Sequence, residues 1–352
     1  MGCQCPHSAP PRRTALAPEP PRRATIHEVA RLAGVSHQTV SRYFRHNGGL
    51  KPATREKIDA AVKELDYHPN LLARAMRTRR TNRLAVVLPS ASYFPLRLLD
   101  GAALTVHEMG YQLELIGVEG GIETRSERVR EIADSGQIEG ILSLAPLTFD
   151  ATAHNRVPIL VTGDYDDRMR GMGQLADGSP VKEIIEYLAG LGHRTFLHVA
   201  GPQGYASARN RRLVYEETIE AMRLTSYGVI EGGWSAQYGY DAITSLPADS
   251  GVTAVVAAND LLAMGVVRGA LSRGWMVPQD LSVFGWDDEE MGRFATPALS
   301  TVAVDREKQG RDAMLRLIAA VRGEPMPEVA ESTLNQLIIR ETTGAARRPA
   351  GR

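Results

Sequence analysis

Two sets of side chains in this chain have the types and spacing for recognition chemistry. The first is the run His37-Gln38-Thr39-Val40-Ser41-Arg42. His37, Gln38, Thr39, Ser41 and Arg42 all form hydrogen bonds, and the spacing predicts a short helix that turns them outward. Its inward residues would be Val40 with Tyr43 or Phe44. Gln pairs bidentately with adenine and Arg with guanine, so a helix presenting both is equipped to read base edges in a major groove. The second set is dispersed. Ser207 and Arg211 follow the loop Gly201-Pro202-Gln203-Gly204, and Trp234 lies in Gly-Gly-Trp-Ser. Asn259-Asp260 follows the apolar run 254–258, and Asp287-Asp288 follows 281–286. Planar amide, carboxylate and guanidinium groups make paired hydrogen bonds to vicinal hydroxyls, and an indole packs on the apolar face of a pyranose. Together they suit a sugar.

These side chains need elements to hold them. Thr25 and Glu28 have the spacing of a capping box, which predicts a helix from Ile26 with Ile26, Val29, Ala30 and Ala33 on one face. Gly34 follows as a left-handed stop, and Ser36 is placed to cap the reading helix. A third helix is expected from Pro52, with Ile58, Ala61, Val62 and Leu65 at helical spacing. From residue 84 the pattern alternates apolar strand and amphipathic helix: strands near 84–88, 111–118, 138–144, 158–162, 195–200, 254–258 and 282–285, helices near 98–109, 177–191, 208–223 and 261–273. Apolar strands alternating with helices imply parallel sheets covered on both faces, with ligands taken at the carboxyl ends of strands.

Residues 25–42 resemble the helix-turn-helix of the lactose-repressor (LacI/GalR) family of bacterial transcription regulators nearly residue for residue, and the resemblance runs from about Thr25 to Thr343. It implies an α/β fold class: an N-terminal all-α helix-turn-helix headpiece, then a two-lobed periplasmic-binding-protein-like body with parallel sheets. It divides the chain into a disordered leader 1–22, a DNA-binding domain 23–69, a hinge helix and linker 70–83, an effector-binding and dimerisation body 84–343, and a tail 344–352. DNA contacts are implied for Thr25, Ser36, His37, Gln38, Thr39, Ser41 and Arg42, and for Asn70, Ala73 and the minor-groove wedge Met76 in the hinge. An eight-residue helix is unstable alone, which would let the hinge act as a switch. The positions matching effector contacts are Arg211, Trp234, Asn259 and Asp287, joined by Ser207, Tyr93 and Asp164.

The chain departs from the family in places. Lys51 stands where a Ser cap is usual, at a cost of ~1 kcal/mol in capping. Arg306 stands where a phenylalanine is expected near the second crossover, and the first lobe offers few of the usual polar contacts. The reading is a repressor controlled by a small effector, most simply a sugar, with a purine-type corepressor as the alternative. Two subunits would meet a pseudo-palindromic operator as a homodimer.

Composition agrees. The formal net charge is zero over 352 residues, yet residues 1–83 carry 16 Lys and Arg against 6 Asp and Glu, and the remainder carries 25 against 35. A basic module on an acidic body suits one end that meets a polyanion. No run approaches the ~20 apolar residues of a membrane span, and no apolar signal region precedes residue 24, so a cytoplasmic, nucleoid-associated protein is expected. Cys3, Cys5 and His7 give too few ligands for a metal site, and no cofactor is expected. A transport protein would want a signal peptide and no basic headpiece. An enzyme would want a nucleophile elbow, a phosphate loop or a zinc-binding His pair. The sequence offers none of these.

Overall fold

The computed structural model describes residues 24–45, 50–67, 80–89, 95–150, 156–327 and 334–347. Residues 1–22, the hinge positions Asn70, Ala73 and Met76, and Tyr93 lie outside them. The chain divides into two compact units, residues 1–80 and 81–352.

The first unit holds α1 (Ile26–Ala33), α2 (His37–Arg45) and α3 (Pro52–Glu64). The capping box forms as the spacing predicts: Glu28 N–H donates to Thr25 Oγ1 at 3.3 Å, and Thr25 N–H donates to the Glu28 carboxylate at 2.6 Å. Gly34 takes φ 66°, which a side chain would resist. That turn lets Val35 N–H reach the Ala30 carbonyl at 3.0 Å and Gly34 N–H the Arg31 carbonyl at 3.3 Å, the paired bonds of a Schellman stop. Ser36 Oγ accepts from Thr39 N–H at 3.1 Å and caps α2. Lys51 makes no side-chain cap on α3, and Pro52 opens that helix. Val29, Val40 and Ile58 are fully buried between the three helices, with Ala30, Ala33, Ala61 and Tyr67 around them.

The second unit has two lobes. The first begins with β1 (Arg83–Pro89), α4 (Leu96–Glu108), β2 (Gln112–Val118), α5 (Ile122–Asp134), β3 (Gly140–Ser143) and β4 (Ile159–Val161). Its parallel sheet runs β2-β1-β3-β4. After α6 (Pro180–Gly190) come β5 (Thr195–Ala200), α7 (Ala206–Ala221), β6 (Thr225–Glu231), α8 (Ala236–Thr244), β7 (Ala254–Ala257), α9 (Asp260–Ser272) and β8 (Ser282–Phe284). That sheet is also parallel, in the order β6-β5-β7-β8. The central strands are apolar along their length and buried on both faces, as parallel sheets under helices require.

The short α10 (Glu290–Phe294) leads to β9 (Thr301–Val304), and β10 (Asn335–Ile338) pairs antiparallel with it. Between those strands α11 (Arg306–Arg322) returns to the first lobe and packs on α4 and β3. Gly101 and Gly310 make the α4–α11 crossing close. A Cβ on either would collide with the facing backbone, at Glu307 and Leu98 respectively. The crossovers thus tie the two sheets together, with strand ends from both facing one cleft. No helix among the described residues is long and apolar enough to cross a membrane.

Candidate functional site

On α2, His37, Gln38 and Arg42 are exposed. Ser36 is exposed too, but its hydroxyl is engaged in capping and lies 2.9 Å from Thr39 Oγ1. Thr25 is half-buried, with both its hydroxyl and amide tied to Glu28. Ser41 departs from the expected outward set, being only 6% exposed. The physical reason is helical phase: residue 41 lies beside Val40 and three before Phe44, on the stripe that faces α1 and α3. The reading face is therefore narrower than the sequence suggests. Tyr43 is held from behind by a hydrogen bond from its hydroxyl to Asp59 on α3, a contact that raises its pKa.

In the body, a cavity of about 790 Å³ is lined by residues from both lobes. It gathers Ser207, Arg211, Trp234, Asn259 and Asp287, five of the seven positions expected from sequence. Arg211 comes from α7 and is 5% exposed. Its guanidinium lies 3.8 Å from the centroid of the Trp286 ring and donates through Nη1 to the Ala258 carbonyl. Burial lowers its pKa to about 10, so it stays protonated at neutral pH. Trp234 packs on the second lobe's core and meets Tyr205 edge-to-face at 5.5 Å. A Cβ at Gly201 would strike the indole, so glycine there makes room for it.

Asn259 caps α9 by accepting from Leu262 N–H at 2.9 Å, yet it still lines the cavity. Capping holds the amide in place, so the structural and recognition roles coexist. Asp287, just past β8, has φ 108°, unusual for a residue with a Cβ. Its N–H donates to the Val302 carbonyl at 2.9 Å, and its carboxylate takes the Arg306 guanidinium at 3.4 Å. Behind it, Asp260 accepts from Thr301 Oγ1 at 2.6 Å and from Glu289 N–H at 2.8 Å. Burial is the largest influence on that carboxyl and pushes its pKa up to about 7.

Asp164 is not among the cavity's lining residues. It lines a second space of about 460 Å³ beside α11, with Lys308, Gln309, Asp312 and Arg316. Residues 163–164 form a bend beyond the end of β4, so the strand's alternation does not carry through to Asp164. Asp164 falls on the α11 side and Tyr165 on the cleft side. Tyr93 lies outside the described residues.

Sequence reasoning missed the loop 165–171, which supplies Tyr165, Asp167, Arg168, Met169 and Arg170. Asp166 organises it, accepting from the backbone N–H groups of Arg168 and Arg170 at 2.9 Å each and from Arg170 Nε at 2.6 Å. Arg125, fully buried on α5, fixes Asp167 at 2.5 Å. The polar run Asp-Asp-Arg-Met-Arg ending on Gly171 was the available signal for a turn. Arg306 also lines the cleft, where sequence reading registered it only as a departure from pattern.

Residues 25–70 match the bacterial regulatory proteins, lacI family, and residues 185–343 match a periplasmic binding protein-like domain. The HTH-type transcriptional regulator CelR of Thermobifida fusca is 30% identical over 337 residues, covering 91% of this chain and 98% of its own. The chain belongs to the LacI family of bacterial transcription regulators. Among solved structures, it resembles the Lac repressor dimer bound to operator and an anti-inducer, with TM-score 0.67 and 26% identity over 92% of this chain and all of that one. It also resembles a CelR–cellobiose complex, with TM-score 0.53 and 28% identity over 91% of this chain and all of that one. The LacI-family assignment agrees with the α/β class and headpiece read from sequence, and it places the chain among regulators of transcription rather than enzymes.

Proposed function

We propose that this chain is a cytoplasmic repressor that binds a pseudo-palindromic operator as a homodimer and is controlled by a sugar-class effector held between the lobes. The observation that carries the reading is the convergence of Arg211, Trp234, Asn259 and Asp287 on one cavity of about 790 Å³. An indole for a pyranose face stands there with an amide, a carboxylate and a guanidinium for vicinal hydroxyls. The solved CelR–cellobiose complex that the chain resembles supports the sugar class.

On this reading Gln38 and Arg42 read base edges, His37 adds a further contact, and Thr25, Ser36 and Thr39 hold the backbone from the first turns. Asn70, Ala73 and Met76 are proposed as a minor-groove hinge. The effector acts only through its differential affinity for the DNA-bound and DNA-free arrangements.

Genomic fragments selected on the full-length protein, followed by footprinting, test the reading. The expected result is protection of a palindromic site, with affinity that falls linearly in log salt and changes when one sugar of a panel is added. Protection that no sugar alters, but that a purine base strengthens, would favour the corepressor alternative.

A further inference from the structure

The charges around the cleft do not balance, and the imbalance lies at the most buried charged residue of its lining. The lining contains Arg168, Arg170, Arg211 and Arg306 against Asp167, Asp287 and Glu289. Four of these ions are matched: Arg170 by Asp166, Asp167 by Arg125, and Asp287 and Arg306 by each other. Arg168 and Glu289 are exposed, where water screens them. Arg211 is left. It is 5% exposed, its Nη1 goes to a neutral carbonyl, its face lies on a neutral indole, and its Nε is buried without a hydrogen-bond partner. Among the described residues no carboxylate forms an ion pair with it. The carboxylate that acts on it most strongly, Asp287, is already paired with Arg306, Asp177 and Asp260 act more weakly, and Arg306 itself acts on Arg211 as a like charge.

A neutral hydroxyl would satisfy a donor of Arg211 and leave its charge uncompensated in a desolvated wall. A carboxylate or phosphoryl group would answer both needs. A guanidinium carries five N–H donors in a fork, so Arg306 can keep Asp287 and still turn donors toward a second anion. Resting on the sugar reading of the cleft, we propose that the effector is an anionic sugar, a sugar acid or a sugar phosphate. Its anionic oxygens sit between Arg211 and Arg306 while its hydroxyls meet Asn259 and Asp287. Arg306 is then the residue that sets specificity for charge.

Calorimetric titration of the full-length protein tests this with matched triplets: D-glucose, D-glucuronate and D-glucose 6-phosphate, and the galactose and mannose counterparts. At least one charged member should bind about tenfold tighter than its neutral parent, a difference of about 1.4 kcal/mol. That advantage should shrink as salt is raised and be largely lost in Arg306→Gln, where charged and neutral members should bind with similar affinity. Arg306→Lys, which keeps the charge and loses the fork, should fall between. A preference for the uronate identifies a sugar acid, and a preference for the 6-phosphate identifies a sugar phosphate. Neutral parents that bind as tightly as the charged members would overturn the anionic reading and leave the sugar reading standing, and an unchanged ratio in both Arg306 variants would overturn the specificity role of Arg306. Failure of every member to bind would overturn both.

Discussion

Gln38 stands exposed on the first turn of α2, and nothing within the headpiece competes for its amide among the hydrogen bonds described. A bidentate base contact is worth about 1–3 kcal/mol of discrimination. Gln38→Ala should therefore lose that much at particular base positions of the operator while leaving nonspecific affinity nearly intact. Binding measured on a set of single-base operator variants checks it, and equal losses on every sequence would show that Gln38 does not read bases. Asp260 illustrates a different residue-scale effect. Its carboxyl is raised from an ordinary 3.8 to about 7, because burial disfavours its charge. A raised pKa means the folded protein holds that proton more tightly than the unfolded chain. The associated stability is full below about 3.8 and is lost as pH rises through about 7. His198, which burial lowers to about 4, works in the opposite sense below its ordinary 6.5. Comparison with a variant isolates the acid: the melting temperature of Asp260→Asn should gain on that of the parent as pH rises from 5 to 8. A pH-independent difference would mean that Asp260 is charged in the fold.

At the scale of elements, the parts legible in the sequence are those whose signals are local. The capping box at Thr25, the stop at Gly34 and the apolar strands β1, β5 and β7 were each written in a few consecutive residues. The parts that were not legible lack such a signature. α5 buries Arg125 and Ser126 beside Val129 and Ile132, so its core stripe is half polar and no apolar period stands out. α11 opens Arg-Glu-Lys-Gln-Gly and buries Gln309 and Gly310 before any large apolar residue. β6 is an edge strand exposed over its first three residues, interrupted by Gly228. The same limit applies to the site. Trp234 and Asn259 announced themselves by type and by the strand they follow, whereas Asp164 lies in the bend beyond β4 and loop 165–171 is shaped by hydrogen bonds to Asp166. Helix caps permit a direct test at this scale. Thr25→Ala removes the hydroxyl that accepts from Glu28 N–H and donates to its carboxylate, leaves the backbone N–H contact in place, and should destabilise the headpiece by about 0.5–2 kcal/mol. The two compact units allow its thermal transition to be followed apart from that of the body. A headpiece transition that does not move would mean the Thr25 hydroxyl contributes nothing to stability.

At the scale of the whole molecule, charge and division of labour coincide: the basic excess lies in the first 83 residues and the acidic excess in the remainder. Operator affinity should accordingly depend on the first unit and on salt, and the response to effector on the second. A single substitution can separate the two. Asp287→Asn keeps the shape of the side chain and can hold the backbone at φ 108°, since Asn tolerates positive φ better than most residues. It removes the carboxylate that accepts from Arg306 and is proposed to accept from effector hydroxyls. Operator affinity without effector should stay within about twofold of the parent, which corresponds to ~0.4 kcal/mol. The effector-induced change in that affinity should largely disappear. Coupling between sites is reciprocal, so operator DNA should also cease to alter effector binding by the variant. Footprinting and titration on the same preparations measure both directions. An intact response in Asp287→Asn would place the controlling ligand outside this cleft. A loss of operator affinity without effector would mean that Asp287 also sets the resting balance between the two arrangements of the body.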